Sequence, residues 1–251
     1  MGEPEHAGSG LTFEDLVDVA REREEILGLY VFGSRGRKFM VDERSDWDAT
    51  VVLSDEAVRQ EFDREFPYEH GAVVEVVSTT LDELRDERDE HSRYASAHAE
   101  IVVDKTGGEL ARVIADQERL PEQIGDAVAR EALGGYINQT YRSLRYRTRL
   151  DAVEAVPYAL RLIFALHGRV RPYNKYLAWE LEHHPLDDWN GPDLLSLLDR
   201  VLAGEPDAQH NLFRLIEERA RRAGLGDEID TWEPDVEWLR GNVGFREGRL
   251  T

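Results

Sequence analysis

The sequence predicts an α+β protein, with an α/β domain over residues 1–118 followed by an all-helical domain over residues 119–251. Four short β-rich runs, interspersed with helical patterns, all fall before residue 118. From about residue 120 the texture changes: long helical patterns succeed one another and no β alternation returns. A chain of 251 residues is long enough to give two modest domains a core each.

Taken in order, "MGEPEHAGSG" reads as a short leader with no basic-then-apolar signal pattern. "LTFEDLVDVAREREEIL" (11–27) has helical spacing, and Thr12 with Asp15 resembles a capping box with Asp in place of Glu. "GLYVF" (28–32) is a strand ending at Gly33, and "DATVVLS" (48–54) is a second. Ser54 then caps a helix over "DEAVRQEFDREF". "AVVEVVS" (72–78) is a third strand, after which Thr79 or Thr80 caps one polar helix, "LDELRDERDEHSRYASA", whose charges pair along its solvated face. "AEIVVDK" (99–105) is the fourth strand, closed by Gly107-Gly108, and "ELARVIADQERL" is a helix ending near Pro121. Beyond it lie helical patterns from "IGDAVAREALGGYINQTYRSLRYRTRL" through "DAQHNLFRLIEERARRAGL", then a mixed tail.

Composition narrows the function classes. Hydrophobic residues make up 41% and charged residues 33%, as in a globular chain, and no apolar run reaches the roughly 18 residues of a membrane span. With no cysteine, disulfides, thiolate catalysis and Cys-ligated zinc or iron–sulfur sites are excluded, and the cytoplasm is the expected location. A net charge of −21 repels a nucleic-acid backbone, so nucleic acid is not the expected partner, and it suits solubility in high salt. Only Lys38, Lys105 and Lys175 are lysines among 31 basic residues, which singles out each of them.

The chemistry concentrates in "VFGSRGRKFMVDERSDWDATVVLS". Residues i and i+2 of a strand share a face, so Asp46 and Asp48 stand together and Trp47 turns away. Two carboxylates so placed repel unless a cation lies between them, and Mg²⁺ takes such oxygens together with phosphate and water. Glu75 interrupts a β-branched run, which is costly if it is buried unpaired and reasonable if it joins the same cluster. Gly33 lets backbone approach a ligand, Ser34 offers a hydroxyl, and Arg35, Arg37 and Lys38 add positive charge. A phosphate-binding turn followed by three carboxylates suits phosphoryl or nucleotidyl transfer with two metal ions. Taken singly, a Gly-Ser turn or an Asp-x-Asp pair is usually only a turn or a solvated strand end; their order and spacing give the set its weight.

Gly33-Ser34, eleven residues, Asp46-x-Asp48, then an acid in a hydrophobic strand resembles the DNA polymerase β-type nucleotidyltransferase superfamily. "HAEIVVDKTGGEL" is similar to the closing strand and Asp-x-x-Gly turn of its small bacterial members, so the likeness spans residues 28–110. Glu75 stands where many members have Asp. The resemblance implies a mixed sheet with helices packed on it and two Mg²⁺ ions held by Asp46 and Asp48. It implies that Glu75 either completes the metal site or serves as general base. It further implies ATP as donor, with Gly33, Ser34, Arg35 and Lys38 on the nucleotide, and transfer of AMP to a hydroxyl with release of pyrophosphate.

A small transferase domain followed by helices is similar to the aminoglycoside adenylyltransferases of the streptomycin/spectinomycin type. By that likeness a helix ending at Gly168 is followed by Lys175, which reaches the nucleotide phosphates with Tyr173 and Asn174 beside it; a surface lysine is the other reading. The acceptor implied is a hydroxyl-bearing small molecule such as an aminoglycoside-like antibiotic. Asp151 and Glu154 would then bind it, or one of them would be the base, or else they only complement a helix dipole. Two rivals remain. One transfers the nucleotide to a partner protein or RNA, as antitoxin-type members do; the other is a non-catalytic nucleotide-binding module. His167, His183, His184 and His210 lack zinc spacing and read as structural. Trp179, Trp189, Trp232 and Trp238 read as packing, with stacking on a base or sugar as the other reading, and "YINQTYRSLRYRTRL" reads as a segment whose arginines pair with the chain's own acids, or else as a nucleotide or RNA groove.

Overall fold

In the computed structural model of the chain, the described residues are 11–242. The leader over 1–10 and the end of the tail over 243–251 lie outside them. Two compact units divide the chain between Arg119 and Leu120.

The first unit holds α1 (Phe13–Glu22), β1 (Ile26–Val31), α2 (Gly33–Arg37), β2 (Trp47–Leu53) and α3 (Glu56–Glu65). It continues with β3 (Val74–Thr80), α4 (Leu81–Asp86), α5 (Glu90–Ser96), β4 (Glu100–Asp104) and α6 (Glu109–Asp116). The four strands form one mixed sheet in the order β3-β2-β1-β4. β1 runs antiparallel to β2 and β4, whereas β2 and β3 are parallel. The α/β character and the mixed sheet are therefore as the sequence leads one to expect.

Strand alternation builds two apolar layers. Leu29, Ala49, Val51, Val74 and Val76 face one side, where Leu16 and Ala20 of α1 and Phe62 of α3 cover them. Tyr30 and Val52 face the other, against Leu84 of α4 and Leu110, Val113 and Ile114 of α6. Each fully buried aliphatic side chain here is worth about 1.5–3 kcal/mol. The Thr12–Asp15 capping box forms as read, with Asp15 N–H on Thr12 Oγ1 at 3.1 Å.

Two local readings are corrected. Asp55, not Ser54, caps α3: its Oδ1 accepts Val58 N–H at 3.0 Å. The polar helix after Thr80 is two helices. Thr80 caps α4 with a second capping box, and Asp89 starts α5 by accepting Ser92 N–H at 2.8 Å. The break satisfies Arg93, which is 1% exposed and donates to the carbonyls of Glu87 (2.8 Å), Arg119 (2.8 Å) and Asp116 (2.5 Å). A continuous helix would keep the Glu87 carbonyl for its own ladder.

The second unit is helical throughout its described residues. It comprises α7 (Glu122–Tyr146), α8 (Arg149–Ala165), a 3₁₀ turn (Asn174–Tyr176), α9 (Leu177–His183), α10 (Gly191–Leu202), α11 (Pro206–Arg222), α12 (Gly226–Asp230) and α13 (Asp235–Leu239). Of the tail expected to be mixed, the described residues hold the end of α12, a turn and α13, and the remainder lies outside them. Only Arg147 and Thr148 separate α7 from α8: Arg147 is left-handed at φ 51°, and Thr148 caps the helix that follows. The two helices meet closely at Gly135, where a Cβ would lie 2.4 Å from the Tyr158 ring. α8 ends at Ala165, three residues short of Gly168. Trp179 and Trp189 are buried, as packing residues should be. No helix among the described residues is long and apolar enough to cross a membrane.

Candidate active site

The parallel pairing of β2 with β3 brings the acids together. Asp48 lies opposite Glu75 in the register, on the sheet face away from the α1/α3 layer. Asp46 is two residues before Asp48, just ahead of the strand, and stays on the same side. One carboxylate oxygen from each of Asp46, Asp48 and Glu75 lies within 4.8 Å of the others, and all three residues are partly buried. Three hard oxygen donors at this spacing have the chemistry that a divalent cation such as Mg²⁺ requires.

Each acid is held by an identifiable neighbour. β1 leads directly into α2, where Gly33 (φ 66°) packs against Asp48 so closely that a Cβ would sit 1.9 Å from Asp48 Oδ2. Phe32 N–H donates to the Asp48 carbonyl at 2.9 Å, fixing the strand exit to the acid's own backbone. Gly36 is needed for a separate reason, since its Cβ would lie 2.2 Å from the Val31 carbonyl oxygen. The sequence reading passed over Gly36, although its place three residues after Gly33 was a visible signal.

Arg35 serves the backbone around Asp46. Its Nε donates to the Ser45 and Asp46 carbonyls at 3.1 and 3.0 Å, and Nη2 to Ser45 at 2.6 Å. Its guanidinium also lies 4.4 Å from the centroid of Trp47, which in turn stacks on Phe13 at 3.8 Å. Arg35 thus clamps the entry to β2. Arg37 is buried and donates to the carbonyls of Tyr94 and Ala97 at 2.7 and 2.6 Å. Lys38 is exposed and pairs with Glu100 at 3.1 Å. Ser34, second residue of α2, is partly exposed.

Glu75 is held by a loop that the sequence reading did not single out. Gly71 N–H donates to Oε1 at 2.6 Å and the Tyr68 hydroxyl donates to Oε2 at 2.9 Å. His70 Nδ1 lies 3.3 Å from Oε1. The hydrogen bond to Glu75 pushes the Tyr68 phenol above its ordinary value, and desolvation and the charges of Glu75, Asp48 and Asp46 add to this. Tyr68 therefore feels all three carboxylates. The signal for it was "YEHG", an aromatic and a glycine in a loop four residues ahead of an acid in a strand.

A groove of about 550 Å³ lines the same sheet face one step further along the strands. Its floor includes Thr50 and Val77, two residues beyond Asp48 and Glu75, and its far wall carries Glu83, Asp86 and Glu87. This is a volume typical of small-molecule sites.

The remaining predicted residues belong to the second unit. Lys175 is exposed, with Nζ 4.8 Å from the Tyr176 ring centroid, and Tyr173 precedes the 3₁₀ turn. Asp151 is 9% exposed in the first turn of α8, with Oδ1 3.4 Å from Arg142 Nε, while Glu154 is exposed one turn on. The pairing with Arg142 gives Asp151 a structural partner. Of the predicted set, then, Gly33, Asp46, Asp48 and Glu75 are gathered at one place, with Arg35 behind them.

No family model matches the chain, and no match to a curated protein was found.

Proposed function

We propose that the chain is a Mg²⁺-dependent nucleotidyltransferase that moves AMP from ATP to a hydroxyl of a small molecule and releases pyrophosphate. The observation that carries this reading is the convergence of Asp46, Asp48 and Glu75 within 4.8 Å, on two parallel strands whose register sets Asp48 opposite Glu75. Three acids gathered this closely repel one another, and a cation bound by all of them relieves the repulsion.

Asp46, Asp48 and Glu75 would hold the metal ions. When bound, Mg²⁺ polarises phosphate oxygens and lowers the pKa of a coordinated hydroxyl. The side chains do the rest. Glu75, oriented by Gly71 and Tyr68, either completes the metal site or takes the acceptor's proton itself. The acceptor oxygen then forms a bond to the α-phosphorus, the α–β bridging bond breaks, and the electron pair leaves with pyrophosphate. Asp48, fixed against Gly33, keeps the carboxylate pair in register with α2, where Ser34 offers its hydroxyl to a phosphate. The groove beside the acids supports a small-molecule acceptor; Arg59 at its edge neutralises Glu83, and the remaining wall acids Asp86 and Glu87 favour a cationic acceptor such as an aminoglycoside-like antibiotic.

The test is pyrophosphate release from ATP and Mg²⁺ with a panel of hydroxyl-bearing acceptors, followed by mass measurement of the product. The expected product is heavier than its acceptor by one AMP moiety, and Asp46→Asn and Asp48→Asn each lower the rate by at least about 100-fold. Near wild-type turnover in either variant would remove the assignment. Tight ATP binding without turnover on any acceptor would favour a binding module instead.

A further inference from the structure

The second unit contains a pocket unlike the rest of this acidic chain. It has a volume of about 520 Å³ and is bounded by the α7–α8 link, the end of α10, the start of α11 and α13. Its charged lining is Arg147, Arg149 and His210, and no carboxylate lines it among the described residues, in a protein whose net charge is −21. Glu205, next to the pocket in sequence, turns away to Arg200, whose Nε donates to its Oε2 at 2.8 Å.

The basic groups are set in place. Arg149 Nε donates to the Leu202 carbonyl at 2.9 Å, which anchors its guanidinium at the rim. Arg147 owes its position to the left-handed turn that ends α7. His210 is oriented by its Nδ1, 2.8 Å from the Leu239 carbonyl; with Nδ1–H donating there, Nε2 is the nitrogen left over. The first turn of α11 has no side-chain cap and starts at Pro206, which lines the pocket.

An independent observation points to a ligand. Gln209 lines the pocket at 3% exposure, yet its buried Oε1 has no hydrogen-bond partner. Buried polar atoms in native proteins rarely stay unpaired, because the lost water is not replaced. A ligand N–H or O–H would supply the missing donor. Trp238 adds a flat aromatic wall.

We propose that this pocket is a second ligand site, separate in its residues from the carboxylate cluster, which binds a small phosphate monoester bearing a planar, hydrogen-bond-donating group. The phosphate lies on Arg147 and Arg149, whose guanidinium groups match phosphate oxygens in pairs. The planar group lies toward Trp238 and Gln209. A mononucleotide has this chemistry, and AMP is the probe.

Equilibrium dialysis of radiolabelled AMP against the full chain tests the proposal, in buffer containing EDTA so that no metal-dependent site contributes. One AMP is expected to bind per chain. Inorganic phosphate and adenosine are each expected to compete at least about 10-fold less well. The double variant Arg147→Glu/Arg149→Glu changes exposed side chains and is expected to weaken binding at least 10-fold, and Gln209→Leu to weaken it several-fold. No AMP binding at millimolar concentration overturns the proposal. So does unchanged binding in the folded double variant, and so does inorganic phosphate competing as well as AMP. Because metal is absent throughout, these outcomes are independent of whether the carboxylate cluster is catalytic.

Discussion

The Asp48 carboxylate occupies the space that a side chain at position 33 would need: a Cβ there would stand 1.9 Å from Asp48 Oδ2. The glycine that opens α2 and the acid on β2 are therefore one packing unit, and a side chain at position 33 would have to displace the Asp48 carboxylate. Gly33 also has φ 66°, which adds a conformational penalty for any other residue.

From this contact, Gly33→Ala should displace the Asp48 carboxylate. Expected are a loss of about 1–3 kcal/mol in stability, from the left-handed backbone and the clash together, and a fall in Mg²⁺-dependent turnover of at least about 10-fold. Urea denaturation and the pyrophosphate assay read the two effects. Wild-type values in both would mean that the sheet yields more easily than the packing implies.

Arg35 is expected to matter through Asp46 and not through a phosphate. Arg35→Met removes the donors that hold the Ser45 and Asp46 carbonyls. It should cost about 1–3 kcal/mol, because those partly buried acceptors lose charged partners. KM for ATP should change less than kcat. A large rise in KM with stability intact would instead place the guanidinium on the nucleotide.

Tyr68 is expected to act on Glu75. Tyr68→Phe removes the hydroxyl that donates to Oε2 and leaves the Gly71 N–H in place. Residues that orient metal ligands typically contribute 10–100-fold in affinity, so Mn²⁺ binding should weaken by about 10-fold. Isothermal titration with Mn²⁺ decides the matter, and an unchanged affinity would make Tyr68 a bystander.

The second unit offers a pH prediction. Glu217 is mostly buried in α11 between Arg221 (2.8 Å) and Arg240, which reaches it through Nε (2.8 Å) and Nη2. Burial pushes its pKa up, but hydrogen bonds from Arg240 and Arg221 outweigh that and hold it below the ordinary value of 4.5. A lowered carboxylate pKa stabilises the fold above the unfolded value and stops doing so as pH falls through the folded one. Glu217→Gln should thus cost about 1–3 kcal/mol at pH 7, because Arg221 and Arg240 each lose a charged acceptor while Arg240 keeps its contact with Glu237, and the gap from wild type should narrow below pH 4.5. Chemical denaturation at pH 7 and below pH 4 measures both limbs, and a gap that widens with acid would contradict the sign.

What was legible in the sequence follows from what local pattern encodes. Short apolar runs rich in valine or aromatic residues marked all four strands, and "SDWDATVV" placed Asp46 and Asp48 on one face because that follows from strand geometry alone. The convergence of Glu75 rests on a long-range parallel register, for which its isolation in a valine run was the only local hint. Arg35 looked like a ligand residue because its charge is visible in sequence, whereas the carbonyls of Ser45 and Asp46 that it serves are backbone and are not. The break before α5 was hidden for the same reason: Arg93 collects three carbonyls from distant turns, and a charge-rich segment reads as a solvated helix. Tyr68 and Gly71 act from a loop without periodicity, so nothing but proximity to Glu75 in sequence pointed to them.

On the proposed reading, Asp46, Asp48 and Glu75 jointly bind the divalent ions of a nucleotidyl transfer. Electron paramagnetic resonance titration of Mn²⁺ with the full chain, in the presence of a non-hydrolysable ATP analogue, tests it most directly. Two bound ions are expected in the wild type, and loss of at least one of them with at least about 10-fold weaker binding in Asp48→Asn and Glu75→Gln. Equal stoichiometry and affinity in wild type and Asp48→Asn would contradict it.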